Sequence, residues 1–510
     1  MHSVSSVLKS FAFFPILISN SDSMRTAKLC LLLPVVLAGV AFGQAPVDRV
    51  ISEALKPSSI EANLEKLTDQ IGGRVPGTAA MQKAVDWGAA AFKVAGADSV
   101  HTENFTIQAS WAEGATEMTV VAPERFKLRV VSVAWAPALA AQQHVPIIDI
   151  GEGKTEDFSK AGTVSGAVLV VHTHEMKTWD DLFAEYLNAP GIIERARKAK
   201  ALAVAFQSTR PHDLLYRHTN ATEGEIDRLP MVIVAREDAD RVARLIASGQ
   251  KLFADLAIPS HVGGPIQTAN VVAELRGSEK PDEFVVLGAH LDSWELGTGA
   301  LDNGCNAALV IDALRAIKAT GLRPRRSMRF ILFSGEEEGL LGSHAYARSH
   351  RSELDKAAGM VVFDSGTGRV TGFSLGGRKD VIPAATSLVA PLKQFDATTL
   401  TTDMSWGTDH FDFMLEGVPT FMANQEEANY LINYHASSDT FDKVDFPQLK
   451  KHVAEAAALS FAIADDPVRV GPRLTHAQIE QTMVETHLDE LMKTFGTWQA
   501  WQEGKLGREK

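Results

Sequence analysis

The stretch Phe284-Val285-Val286-Leu287-Gly288-Ala289-His290-Leu291-Asp292-Ser293-Trp294 decides how this chain is to be read. An unbroken apolar run ends in a histidine, and polar residues follow only after it. A short apolar run rich in β-branched residues reads as a strand buried on both faces. A histidine at its carboxyl end stands where open α/β sheets hold their ligands.

The pattern recurs on either side. Asn270–Leu275, Glu283–His290, Met328–Ser334, Met360–Asp364 and Thr420–Ala423 read as strands. Asn306–Ala319 and Ser343–His350 read as helices between them. This alternation, from about residue 265 to 465, predicts an α/β domain with a mainly parallel central sheet flanked by helices. Residues 44–110 supply its first part, with helices expected at Val47–Leu55, Ile60–Gln70 and Ala79–Ala95 and a strand at Ser99–Thr106. Residues 111–264 have a different texture. Short β-rich runs dominate, and helices are expected only at Gly191–Ala199 and Asp238–Ser248. That predicts an inserted α+β domain. Residues 466–510 form a tail, helical from Thr475 to Trp501. The histidines of the insert, His172, His174, His212 and His218, read as surface residues.

The chain has 510 residues, 45% of them hydrophobic, and a net charge of -13. The length asks for more than one core, and the acidity argues against nucleic-acid binding, which usually needs a basic face. Residues 1–43 read as an upstream extension and a signal peptide, with the true start at Met24. A basic start, Arg25 to Lys28, precedes the apolar run Leu29–Phe42, and Ala41-Phe42-Gly43 places cleavage near Gly43/Gln44. The expected location is therefore periplasmic or extracellular, without stable membrane insertion. Of the two cysteines, Cys30 lies inside that signal and Cys305 remains alone.

Five candidate metal ligands stand past strands or in loops: His290, Asp302, Glu337, Asp364 and His435. Buried carboxylates in such number need cations. If one carboxylate bridges, two ions each receive three protein ligands and keep an open position, as catalytic zinc requires.

The runs Gly288-Ala289-His290-Leu291-Asp292-Ser293-Trp294, Gly299-Ala300-Leu301-Asp302-Asn303-Gly304 and Glu336-Glu337-Glu338-Gly339-Leu340 resemble the co-catalytic zinc aminopeptidase/carboxypeptidase superfamily, and within it the carboxypeptidase Q-like branch. The insert is similar to the protease-associated domain found there. The resemblance implies two Zn(2+) per chain. His290, Asp302 and Asp364 would hold one; Asp302, Glu337 and His435 would hold the other, with Asp302 bridging. Glu336 would be the general base for a metal-bound water, and Asp292 would orient the His290 ring. Thr408-Asp409-His410 resembles a loop near the site, but His435 is preferred to His410 as ligand because of the His-x-x-x-Asp-Thr pattern through Asp439 and Thr440. The implied activity is hydrolysis of dipeptides or short peptides. The alternatives are an aminopeptidase on longer peptides, glutaminyl cyclisation on one zinc, and a non-catalytic binding protein. The short peptide is the expected partner, together with a second copy of the chain in a homodimer.

Overall fold

The computed structural model describes residues 45–221 and 224–510. The extension and signal, with its cleavage point, lie outside the described residues.

The main sheet has eight strands: β1 (Ser99–Ile107), β2 (Ile266–Leu275), β3 (Lys280–His290), β4 (Arg326–Phe333), β5 (Ala357–Val362), β6 (Val370–Ser374), β7 (Thr399–Thr401) and β8 (Thr420–Gln425). Their spatial order is β1-β2-β4-β3-β5-β8-β6-β7. The ladders β4/β3, β3/β5 and β5/β8 are parallel, and so is β6/β7. The ladders β1/β2, β2/β4 and β8/β6 are antiparallel. The sheet is therefore mixed, with its parallel part at the centre where both faces are covered.

Register explains the site. His290 pairs with Phe333 across β3 and β4, and Gly288 pairs with Val362 across β3 and β5. Residues just beyond Phe333 and Val362 therefore reach the same sheet edge as His290. Helix α1 (Cys305–Ala319) is buried almost all round and packs against β3 and helix α2 (Phe446–Asp465). An apolar surface on every side of a helix belongs in a core. Cys305 opens α1 as a buried free thiol.

A second eight-stranded sheet spans residues 117–258. Leu139–Asp149, Val168–Val171, Ala203–Gln207 and Met231–Val234 run parallel at its centre. The helix expected at Gly191–Ala199 is twenty residues long, Trp179–Lys198. Pro190 lies inside it and hides its first half from a reading by pattern. A capping box between Thr178 and Asp181 sets its start. The second expected helix, Ile60–Gln70, is an α-turn run to Glu65 and a wider π-type turn over Lys66–Ile71. The tail is three short helices rather than one: His476–Glu485, Leu488–Thr494 and Trp498–Gln502. Left-handed His487 and Gly496 separate them.

His218 corrects the reading of the insert histidines. It is 5% exposed, with Nδ1 3.3 Å from Glu185 and its ring against Tyr216 and Tyr186. His172 is half-buried and pairs with Asp149, while His174 and His212 are exposed. No helix among the described residues is long and apolar enough to cross a membrane.

Candidate functional site

The five expected ligands converge. His290 Nε2 lies 3.2 Å from Asp302 Oδ1 and 3.0 Å from Asp364 Oδ1. His435 Nε2 lies 3.3 Å from Asp302 Oδ2 and 2.8 Å from Glu337 Oε2. Two donor sets result, His290–Asp302–Asp364 and Asp302–Glu337–His435, each with its ligand atoms within 4.8 Å of one another. Asp302 belongs to both, one carboxylate oxygen facing each histidine. Glu336 Oε2 stands 3.8 Å from His290 Nε2, beside the first set.

The electrostatics favour cations at this site. Burial pushes the Glu336 and Glu337 carboxyls well above their usual range, and neighbouring carboxylates push the same way. Burial likewise pushes Asp364 up to about 6. Burial opposes a charge on His290, but Asp364 and Glu336 outweigh it and hold the imidazole above its ordinary value. Burial would raise Asp302 too, yet the two histidines hold it low. Among the described residues Glu337 Oε1 is buried without a hydrogen-bond donor, and Asp302 Oδ2 faces only the His435 ring nitrogen at 3.3 Å. A donor set of two imidazoles and three carboxylates, with an orphaned oxygen among them, fits divalent cations of the zinc type.

Loops hold these ligands in place. Asp439 accepts the backbone N–H groups of Ala300 (3.1 Å), Leu301 (2.7 Å) and Asp302 (3.1 Å). Asn303, joined to Asp302 by a cis peptide bond, donates its Nδ2 to Asp364 Oδ1 at 2.6 Å. Arg74 is fully buried and donates to the carbonyls of Leu291, Thr298 and Gly299 at 2.6, 2.7 and 2.8 Å. It thereby ties the segment after His290 to the loop before Asp302. Sequence reasoning missed the roles of Arg74 and Asn303 and took Asp439 only as part of a pattern. Their partners are backbone groups far along the chain, which leave no trace in composition.

Asp292 is placed differently from the expectation. Its Oδ1 is 3.7 Å from His290 Nδ1, whereas its backbone carbonyl is at 3.1 Å. The Asp292 carboxylate accepts the Glu337 N–H at 3.2 Å. It thus touches both ligand segments. His410 is buried away from both donor sets, its ring against Ser405 and Thr408 at 3.3 and 3.2 Å. Its neighbour Asp409 is buried and is pushed well above the usual carboxylate range by burial.

A cavity of about 550 Å³ opens onto Asp302, Glu336, Glu337, Asp364 and His435. It is lined by Trp179, Phe183 and Tyr186 of the long helix, by Tyr430 and Tyr434, which touch Trp179 and Tyr186, and by Trp406 and Phe495. Asp403, Asn424 and Gln425 add polar groups, and no lysine or arginine among the described residues lines it.

Residues 270–460 match Peptidase family M28. The chain is 26% identical over 408 residues to carboxypeptidase Q of Mus musculus, covering 78% of this chain and 84% of that protein. A peptidase M28 precursor from Shewanella amazonensis SB2B has a similar structure, with a TM-score of 0.76 and 26% identity over 84% of this chain and 98% of the other. A zinc aminopeptidase from Bacillus subtilis shares the fold at a TM-score of 0.63 and 18% identity, covering 81% and 96% of the two chains. Residues 270–460 thus form a peptidase family M28 domain, and the carboxylate shared between two histidines, on this fold and with these carboxypeptidase Q relatives, makes the chain a zinc-dependent exopeptidase.

Proposed function

We propose that the chain is an exported enzyme that binds two zinc ions and hydrolyses dipeptides or other short peptides. The observation that carries the proposal is Asp302, whose two oxygens face two separate donor sets. His290 and Asp364 complete one set, and Glu337 and His435 the other. Zinc bound there supplies Lewis-acid activation of a water molecule and of the scissile carbonyl.

The remaining work falls to the chain's own groups. Glu336 stands beside the ligand cluster on the cavity wall without belonging to either donor set. It takes the proton of the attacking water and delivers it to the leaving amine. Tyr186, Tyr430 and Tyr434, with Trp179, exclude solvent from the reacting end of the cavity. The cavity volume suits a small ligand rather than a folded chain.

The wall chemistry bears on which end of the peptide is read. A free carboxylate is held by a cationic group, and none lines the cavity among the described residues. Apart from the candidate ligands and Glu336, the carboxylate of Asp403 lines it, which favours substrates that present a free amino group. That is compatible with a dipeptidase and favours, as second reading, an aminopeptidase on longer peptides. A panel of dipeptides and tripeptides with free and blocked termini tests both. Hydrolysis of free dipeptides, abolished by blocking the amine, supports the proposal. Turnover of amine-blocked peptides with a free carboxyl end would overturn it. Export rests on the basic start and apolar run over residues 25–42, and fractionation of cells expressing the full chain tests it.

A further inference from the structure

We infer that segment 208–219 of the second sheet region is a positioning device for His435, so that the metal held by Asp302, Glu337 and His435 depends on Arg210 and Glu185 while the neighbouring metal does not. The inference rests on the two-metal reading above.

The two ligand histidines are held in different ways. His290 ends a strand in the centre of the main sheet, and its Nδ1 faces the Asp292 carbonyl at 3.1 Å. An acceptor on the second ring nitrogen is the usual means by which a ligating imidazole is aimed. His435 has none: its Nδ1 is buried and without a hydrogen-bond partner among the described residues. Its backbone sits in the left-handed region at φ 59°, which a residue with a Cβ adopts unfavourably. Local preference therefore does not hold this ligand in place.

Contacts from the second sheet region do. Arg210 Nη2 donates to the Tyr434 carbonyl at 2.7 Å. The Arg217 N–H donates to the His435 carbonyl at 3.0 Å. Tyr216 and Ala436 form a β-bridge, and the Ser437 N–H donates to the Leu215 carbonyl at 2.9 Å. Four consecutive residues, 434 to 437, are thus tied to 210–217. Stacking of the Tyr434 ring on the His435 ring, with centroids 3.6 Å apart, passes the constraint to the imidazole.

Arg210 is itself immobilised. It is 1% exposed, its guanidinium lies 3.9 Å from the Tyr216 ring centroid, and Nη1 is 3.2 Å from Glu185 Oε2. Glu185 belongs to helix Trp179–Lys198 and also accepts the Tyr216 hydroxyl. The chain of contacts runs from Glu185 through Arg210 and Tyr434 to His435. The polar contacts described for His290 and Asp364 involve no residue of this segment.

Two volume-conserving variants of the full chain test this. Arg210→Lys keeps a buried cation but loses the planar fork that both stacks and donates. Glu185→Gln keeps the shape and removes the counter-charge. Each is stripped of metal and titrated with zinc against a chromophoric competitor, and cobalt(II) absorption then reports ligand geometry. Wild type should take up two ions. In the variants the first should bind within about twofold of wild type and the second about 10- to 100-fold more weakly. The surface variant Lys127→Ala, which removes the pairing with Glu117 in the same sheet region and touches no residue of 208–219, should leave both sites unchanged. Thermal unfolding of the metal-free proteins checks that each variant folds. If either does not, Tyr216→Phe replaces it, removing only the hydroxyl donated to Glu185. Unchanged affinity at both sites, equal weakening of both, or an equal effect of Lys127→Ala would overturn the inference. A wild type that titrates to a single ion would instead refute the two-metal reading.

Discussion

Asp439 Oδ2 accepts the backbone N–H of Asp302 at 3.1 Å, so one carboxylate fixes the main chain that carries another. Asp439 also takes the N–H groups of Ala300 and Leu301, and all three donors lie in the loop that leads into α1. Asp439→Asn turns a donor toward these N–H groups. The expected outcome is a loss of about 10- to 100-fold in zinc affinity and in kcat/KM, with little change in unfolding temperature. Metal analysis after dialysis and steady-state kinetics check it.

Glu336 stands 3.8 Å from His290 Nε2 but completes neither donor set. Glu336→Gln should therefore lower kcat by about 10²- to 10⁴-fold while the zinc content stays at the wild-type level. An active and fully loaded variant would remove Glu336 from the role of base.

His410 is separated from the ligands, and burial lowers its imidazole to about 4. It is neutral at working pH and faces hydroxyls of Ser405 and Thr408. His410→Gln should retain full zinc content. A loss of metal from a folded variant would restore His410 to the ligand set.

Glu455 gives a pH signature that does not involve the site. It is fully buried in α2, without a hydrogen-bond partner among the described residues, and burial raises it from 4.5 to about 8, against Lys451 and Arg369. A carboxyl with a raised folded pKa stabilises fully below its unfolded value, and that contribution is lost as pH rises through the folded value. Glu455→Gln mimics the neutral form. It should match wild type in unfolding temperature near pH 4.5 and exceed it increasingly up to pH 8, at ~1.4 kcal/mol per unit of the window as an upper bound. Thermal scans across that range check the sign.

The central sheet and three of the five candidate ligands, His290, Glu337 and Asp364, were legible from one signal, an apolar run followed by a histidine or carboxylate, whereas Asp302 and His435 stand in loops and were legible only from their motifs. His290 follows Ala289, and the Glu336–Glu337 pair follows Phe333 within a few residues. Register then brings them to one edge without further instruction. What was not legible has no local signal. Arg74 serves carbonyls more than two hundred residues away. The first half of helix Trp179–Lys198, which walls the cavity, is masked by Pro190. His218 stands in the polar-looking run Tyr216-Arg217-His218-Thr219, yet Glu185 and Tyr186 cover it.

The crowding of carboxylates described above has a calorimetric consequence. Glu336, Glu337, Asp364 and Asp409 all hold protons more tightly than free carboxyls do, as does Asp439, raised by burial to about 7. Arriving cations displace those protons. Zinc loading near neutrality should therefore release acid, and its apparent enthalpy should change with the ionisation heat of the buffer. Identical enthalpies in phosphate-free buffers of high and low ionisation heat would show that the vacated carboxyls had already been charged.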